Sequence, residues 1–359
     1  PIGAYFNKRV TDQLVVSSAD CVGHFPINFK QGKWLIKGHP KYDVFGIPRK
    51  SLPKLVPVGN VIGYVTEDFS KQSCIPNGIP LYASGSDKAC ETFGNGCIDK
   101  RQASISLGTA CTIDVVDQKY SEPETFLPSY QAPYKGSYDL EIQVYRGLWM
   151  ITWFEEQFAS QDRVDAEKCG ISLEDYLEKQ IEKIKPGSDG LVLQPYWGPG
   201  LKRPNAKGSI VGFSAVHTRF HIYRAILEGI AFALREGLEE IICKTKTMPD
   251  YLVVSGGGSR NLTMLKIIAD VFGIEVRQSA LTESSTIGGA MSVFLADGTF
   301  SCPKEACENM VKQGMVVKPN AENHRIYDDL YRKVYLKMYP SMAKLYQNIK
   351  DFYLENAGE

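Results

Sequence analysis

The sequence predicts an α/β fold, on three observations. The apolar run Tyr251 to Val254 leads through Gly256-Gly257-Gly258 into a helical pattern from Asn261 to Phe272, with Leu262, Leu265, Ile268, Ala269 and Phe272 on one side. Ala103 to Leu107 and Cys111 to Val116 read as paired strands around the tight turn Gly108-Thr109-Ala110. His221 to Cys243 keeps an apolar stripe of Ile222, Ile226, Ile230, Ala233, Leu234, Leu238 and Ile241, with Arg224, Glu228, Arg235, Glu236 and Glu239 mostly off it.

Composition narrows the function. The 359 residues, 43% hydrophobic and 23% charged, suffice for one large or two medium domains. Lys and Arg total 41 against 41 Asp and Glu, so no global field recruits nucleic acid or an anionic membrane, and a small-molecule ligand is expected. No apolar run approaches the roughly 20 residues that span a bilayer. The opening PIGAYFNKRVTD lacks signal-peptide character, and the expectation is a cytoplasmic protein. The nine cysteines form no C-x-x-C pair, so they are expected to be reduced, mostly buried and not metal ligands. Histidines at 24, 39, 217, 221 and 324 fall in no nucleophile motif, which argues against a Ser/His/Asp hydrolase.

Taken in order, the chain opens like the tail of a helix, followed by a Thr-Asp turn, a Ser-rich loop and the Gly-x-Trp passage Phe29 to Trp34. Gly85-Ser86-Asp87 then precedes a short helix ending at Gly94 and Gly96. An aspartate there serves either as a helix cap or as a proton acceptor, and a Gly-Thr tip is either a plain turn or a cradle for phosphoryl oxygens. Beyond the hairpin, Leu140 to Tyr145 reads as a strand and Trp149 to Ser160 as a helix, with Trp149 and Trp153 expected in the core. Leu173 to Ile184 is an amphipathic helix stopped by Pro186-Gly187, and Leu191 to Leu193 a buried strand before a loop whose Arg203 and Lys207 are either solvated, the commoner case, or electrostatic partners for phosphate. Gly288, Gly289 and Ala290 suit a closely packed helix opened by Glu283. Asn323 to Tyr353 reads as a long helix with an aromatic stripe, kinked or broken at Pro340.

The string SGSDKACETFGNG, the Ser-x-Gly-Thr hairpin at Ser106 to Thr109, the helix RAILEGIAF and the run GGGSRN together resemble the FGGY carbohydrate kinases over nearly the whole chain. The resemblance implies an actin-like, ribonuclease H-like α/β fold of two domains flanking a cleft. Residues 1–100 correspond to the remnant of a truncated first, sugar-binding domain and 101–359 to the nucleotide-binding domain. The family's opening strand and Asp-x-Gly-Thr hairpin find no counterpart here, so the first third of a typical member is expected to be absent.

By the same resemblance the chain is an ATP-dependent sugar kinase using Mg²⁺, with Asp87 as catalytic base and Asp87 and Lys88 beside the acceptor. Gly108 and Thr109 would contact phosphate. Gly257, Gly258, Asn261 and Arg260 would contact the nucleotide, with Gly147 and Thr152 as further candidates. Glu228 is expected to make a structural contact in the interdomain region, and Gly229 to allow close packing. No protein-held metal is expected; the partner is a small sugar, and a homodimer is the assembly considered. Lys88 stands where glycerol kinases have Gln and Thr112 where they have an aromatic residue, which argues against glycerol. Pentuloses and other ketoses come first, with gluconate-like acids and small polyols open. The alternatives are a catalytically inactive nucleotide-binding fragment and an actin-like ATPase.

Overall fold

The computed structural model describes residues 1–356 apart from 24, 25, 126, 199, 201 and 282. His24, among the histidines above, lies outside the described residues, as do Pro199 and Leu201 of the loop before Arg203. The chain forms two compact units. One comprises Pro1–Gln102, Asp114–Glu141 and Leu281–Gln313, the other Ala103–Ile113, Ile142–Ala280 and Gly314–Glu359.

In the first unit the helix Ile2–Thr11 ends where Asp12 turns left-handed, at φ 58°. Strand Val15–Ser17 follows and pairs in parallel with Lys54–Val56. Ile27–Asn28 and Lys33–Trp34 pair antiparallel around Gly32, which sits at φ +61° as such a turn requires. Ser86 starts the helix Asp87–Gly94 by accepting from Ala89 N–H at 3.2 Å, and Asp87 places its charge in the first turn, where the helix dipole favours it. This helix lies directly on Ser284–Ala296. A methyl group at Gly94 would collide with the Ser284 carbonyl, and one at Gly288 with the Cys90 carbonyl. The expected tight packing at Gly288 is therefore against the helix that carries Asp87.

The second unit is built on a sheet whose strands run side by side as Gln313–Val317, Glu275–Ser279, Tyr251–Ser255, Gln102–Leu107, Cys111–Asp117, Tyr138–Val144 and Tyr130–Gln131. Tyr251–Ser255 and Glu275–Ser279 pair in parallel, Leu252 opposite Val276, joined through the helix Leu262–Phe272.

The helix Arg219–Thr245 is more buried than a one-sided stripe predicts. Arg224, Glu228 and Arg235 are buried along with Ile226, Ile230 and Leu234, while Ile222 is only half-buried. Partners make this tolerable: Arg224 Nε reaches Glu228 Oε1 at 2.8 Å, and Tyr327 OH donates to the same oxygen at 2.8 Å. Ser188 Oγ and Gly187 N–H complete the Glu228 carboxylate at 2.8 and 3.0 Å. All these groups belong to the second unit, which corrects the expected interdomain contact to one inside that unit's core. Gly229 is a close-packing point as expected, since a Cβ there would stand 2.5 Å from the Leu193 carbonyl oxygen.

The C-terminal region also differs from expectation. Leu336–Asn356 is one helix with Pro340 inside it, and the irregularity lies earlier, in a π-helical turn at Tyr331–Tyr335. The wider turn keeps Tyr327, Tyr331 and Tyr335 together around Phe232, with Phe232 and Tyr335 ring centroids 5.2 Å apart. Of the cysteines, 21, 90, 97 and 111 are buried, but 74, 169, 243 and 302 are exposed, so "mostly buried" does not hold. Cys74 closes a helix in the left-handed conformation and Cys169 precedes a capping Gly170, helix ends that face water. Trp149 and Trp153 are half-buried rather than core.

Candidate active site

In the second unit three turns meet. The hairpin tip at Gly108-Thr109 receives Leu148 N–H on the Gly108 carbonyl at 3.0 Å and Trp149 N–H on the Thr109 carbonyl at 3.3 Å. Gly147 is buried against the same hairpin: a Cβ would stand 2.6 Å from Cys111 N and collide with Cys111 Sγ. The third turn follows Tyr251–Ser255. Gly256 sits at φ +82°, and a Cβ on it would come within 2.6 Å of the Leu107 carbonyl oxygen. At Gly258 a Cβ would collide with Leu148 and stand 3.0 Å from Leu107 Cβ. Two of the glycines thus answer to packing against the hairpin and the Leu148 turn. Gly257 is exposed, with open space where a side chain would be.

Asn261 caps the helix Leu262–Phe272, its Oδ1 accepting from Met264 N–H at 2.7 Å. The residue is 5% exposed, and its Nδ2 is buried without a hydrogen-bond partner among the described residues. A buried amide donor left unpaired costs about 1–3 kcal/mol unless a ligand or water accepts from it. Arg260 beside it is exposed. Thr152 is also exposed, in the first turns of Trp149–Phe158, and has no hydrogen bond to any of the three turns among the described residues. The structure therefore joins Gly108, Thr109, Gly147, Gly256 and Gly258 in one packed group, with Gly257 and Asn261 continuing its third turn, and leaves Thr152 aside. Sequence reasoning missed Leu148 and Cys111, the residues that lock the hairpin to the other turns; nothing in their spacing announces contacts with Gly258 and Gly147.

Asp87 is exposed at the start of its helix in the first unit, with Lys88 N–H donating to Oδ1 at 2.8 Å; its Oδ2 accepts no hydrogen bond among the described residues. The loop Ser17 to Asp20 is held beside it, because Ser17 Oγ donates to the Ser84 carbonyl at 2.5 Å. Burial raises the Asp20 carboxyl above its ordinary range, and the Asp87 charge adds to that. Lys88 Nζ pairs with Glu91 Oε2 at 2.7 Å. Burial works to lower the Lys88 ammonium, but the carboxylates of Glu91, Asp114 and Asp87 outweigh it and raise it. Glu141 is pushed up by burial, with Lys88 opposing and Asp87 and Glu91 reinforcing. Lys88 thus places a cation among several carboxylates around the candidate base. The i, i+3 spacing of Lys88 and Glu91 on a helix was a usable signal for this pair. Asp20 and Glu141 come from distant segments and gave none.

Arg203 is not a free phosphate partner. Its guanidinium forks onto the Glu236 carboxylate and lies over the Tyr339 ring at 4.8 Å. Among the described residues no group of three His, Cys, Asp or Glu side chains is placed to hold a metal ion, and no helix is long and apolar enough to cross a membrane.

The fold is of the actin-like, ribonuclease H-like class, which this chain shares with sugar kinases of solved structure. Likeness to a solved structure bears this out: the ligand-bound xylulose kinase from Lactobacillus acidophilus superposes with TM-score 0.84 at 23% identity, over 97% of this chain and 68% of that one. The chain belongs to the FGGY family of carbohydrate kinases, phosphotransferases with a sugar or polyol acceptor: residues 103–296 match the family's C-terminal domain and residues 2–94 its N-terminal domain. An uncharacterized sugar kinase of Escherichia coli, YgcE, is 26% identical over 92% of this chain and 67% of its own length. The xylulose kinase of Lactococcus lactis is 25% identical over 97% of this chain and 68% of its own. The chain thus spans about two thirds of the length of these relatives.

Proposed function

We propose that this chain carries the nucleotide seat and the catalytic base of an ATP-dependent kinase that phosphorylates a hydroxyl of a pentulose or related ketose. The observation that carries the reading is the packing of three turns, Gly108-Thr109, Gly147-Leu148 and Gly256 to Gly258, into one group whose third turn ends on the unpaired amide of Asn261. Open space at Gly257 lets a ligand approach the backbone there, and Asn261 Nδ2 supplies a ready donor to an acceptor on it, so these residues fit a nucleotide. When bound, ATP with Mg²⁺ supplies the transferable phosphoryl group and the neutralising charge. A magnesium ion that comes with phosphates keeps several waters and needs one or two carboxylates rather than a protein cage.

Residues 101–359 act in this reading as the nucleotide-binding domain and 1–100 as part of the sugar-binding domain. Gly108, its own N–H turned onto the Ala110 carbonyl at 3.2 Å, leaves the hairpin tip without a side-chain wall, Thr109 offers phosphoryl oxygens its backbone N–H and hydroxyl, and Arg260 lies over the adenosine part. Asp87 accepts the acceptor's hydroxyl proton at Oδ2 while Lys88 N–H fixes Oδ1. Lys88, paired with Glu91, borders the acceptor and sets a positive charge among the carboxylates around Asp87. Relatives named for their acceptor include xylulose kinases and, after them, gluconokinases, which supports a ketose first and gluconate second. The experiment is an acceptor panel, D-xylulose, D-ribulose, L-xylulose, gluconate and glycerol, scored by acceptor-dependent ADP release. A ketose should lead; preference for gluconate or glycerol would reject the acceptor class, and turnover without any acceptor would point to an ATPase.

A further inference from the structure

The first unit contains a cavity of about 770 Å³ that the proposed reaction does not use. Lys33, Arg49, Lys54 and Lys135 line it and no acidic residue does; Asp87 and Asp20 are not among its walls. None of these four cations takes part in a salt bridge among the described residues, and all four are exposed. The surrounding sequence is biased the same way. Residues 30–54 carry seven basic side chains (Lys30, Lys33, Lys37, Lys41, Arg49, Lys50, Lys54) against one acidic, Asp43, in a chain whose overall charge is zero. A neutral chain that gathers uncompensated cations around one concavity focuses positive potential there, and an anion is what relieves it.

The walls say what kind of anion. Trp34 and Tyr134 give flat apolar surface for a carbon body. Ser18 Oγ donates to Gln131 Oε1 at 2.6 Å, which leaves the Gln131 amide N–H groups for a hydroxyl. The walls are also tied together: Tyr138 OH donates to the Lys30 carbonyl at 2.9 Å, and Trp34 Nε1 to the Pro53 carbonyl at 2.8 Å. The volume falls in the range of small-molecule sites, roughly 300–1,000 Å³. We propose that this cavity is a second binding site, taking a small phosphate ester of a sugar or polyol, with the phosphate among Lys33, Arg49, Lys54 and Lys135 and the carbon body against Trp34.

Calorimetric titration of the chain with ribose 5-phosphate, ribose and inorganic phosphate tests this. Ribose 5-phosphate should bind, ribose should not, and phosphate should bind more weakly than the ester. The double variant Lys54→Gln/Lys135→Gln, altered only at exposed positions, should weaken ribose 5-phosphate by about tenfold or more through lost charge-assisted contacts while leaving ADP affinity unchanged. Trp34→Phe should retain binding but lose the change in tryptophan fluorescence that accompanies it. No binding, or an affinity unchanged in the double variant, overturns the proposal. So does displacement of the ester by saturating acceptor sugar, which would put it in the acceptor site, and equal affinity for phosphate and ester, which would make this an adventitious anion site only.

Discussion

Leu148 donates its backbone N–H to the carbonyl of Gly108 at 3.0 Å, and its side chain fills the space a methyl group on Gly258 would need. One residue thus fixes the hairpin tip against the glycine turn more than a hundred positions away in the chain. The proposed seat is rigid because of this bridge, and the glycines around it divide into those that pack and the one that is open.

That division predicts opposite behaviour for two alanine substitutions. Gly147→Ala puts a methyl group into Cys111 and should lower the melting temperature by several degrees as well as weaken ADP. Gly257→Ala meets nothing within 4 Å and should leave the melting temperature unchanged while weakening ADP. Differential scanning fluorimetry with and without ADP separates the two.

Asn261 has two jobs that substitution can separate. Asn261→Asp keeps an oxygen for Met264 N–H, so stability should hold, but it replaces the unpaired Nδ2 donor with an acceptor, and ADP affinity should fall. Asn261→Ala removes the cap as well and should cost about 0.5–2 kcal/mol in denaturant unfolding. ADP affinity equal to that of the parent in the Asp variant would remove Asn261 from the seat.

Asp139 offers a pH test in the first unit. It is 3% exposed, neither carboxylate oxygen has a partner among the described residues, and burial holds its carboxyl well above the ordinary range, with Glu141 adding to the effect. A carboxyl raised on folding keeps its proton in the native state where the unfolded chain has lost it. Its contribution to stability is therefore fully present below the ordinary carboxylate range and declines as pH rises above it. Asp139→Asn should be close to neutral near pH 4 and increasingly stabilising toward about pH 8. Melting curves across that interval check the slope; a difference independent of pH would contradict it.

Glu228 should behave as a core residue. Glu228→Ala leaves Arg224 buried without its carboxylate and Tyr327 OH without its acceptor, and should destabilise by about 3–5 kcal/mol in equilibrium unfolding. A loss confined to activity would instead support a role outside the core.

Much of this arrangement was legible in the residues. The hairpin around Gly108-Thr109 announced itself by β-branched runs on either side of a glycine turn, and the third turn by a short apolar strand ending in three glycines. Asn261 opened the helical run it caps, whereas the earlier helix is capped by Ser86, one residue before the aspartate read as a possible cap. What stayed hidden depends on contacts between distant segments. Arg224 and Arg235 read as solvent-facing because their partners, Tyr327 and Asp328, lie about a hundred residues on. Arg203 looked available for phosphate until Glu236 and Tyr339 were found around it. Pro340 marked the right region for a helix irregularity but the wrong turn, because aromatic packing around Phe232 decided where the helix widens.

The most direct measurement of the central claim compares wild type with Asp87→Asn for formation of sugar phosphate from ATP, Mg²⁺ and the preferred acceptor, alongside ADP affinity. Wild type should form the phosphate ester, and the variant should lose about 10²–10⁴-fold in rate, the contribution of a positioned general base, with ADP affinity unchanged. Equal rates in the two proteins, or no sugar phosphate from wild type with any acceptor, would contradict the account.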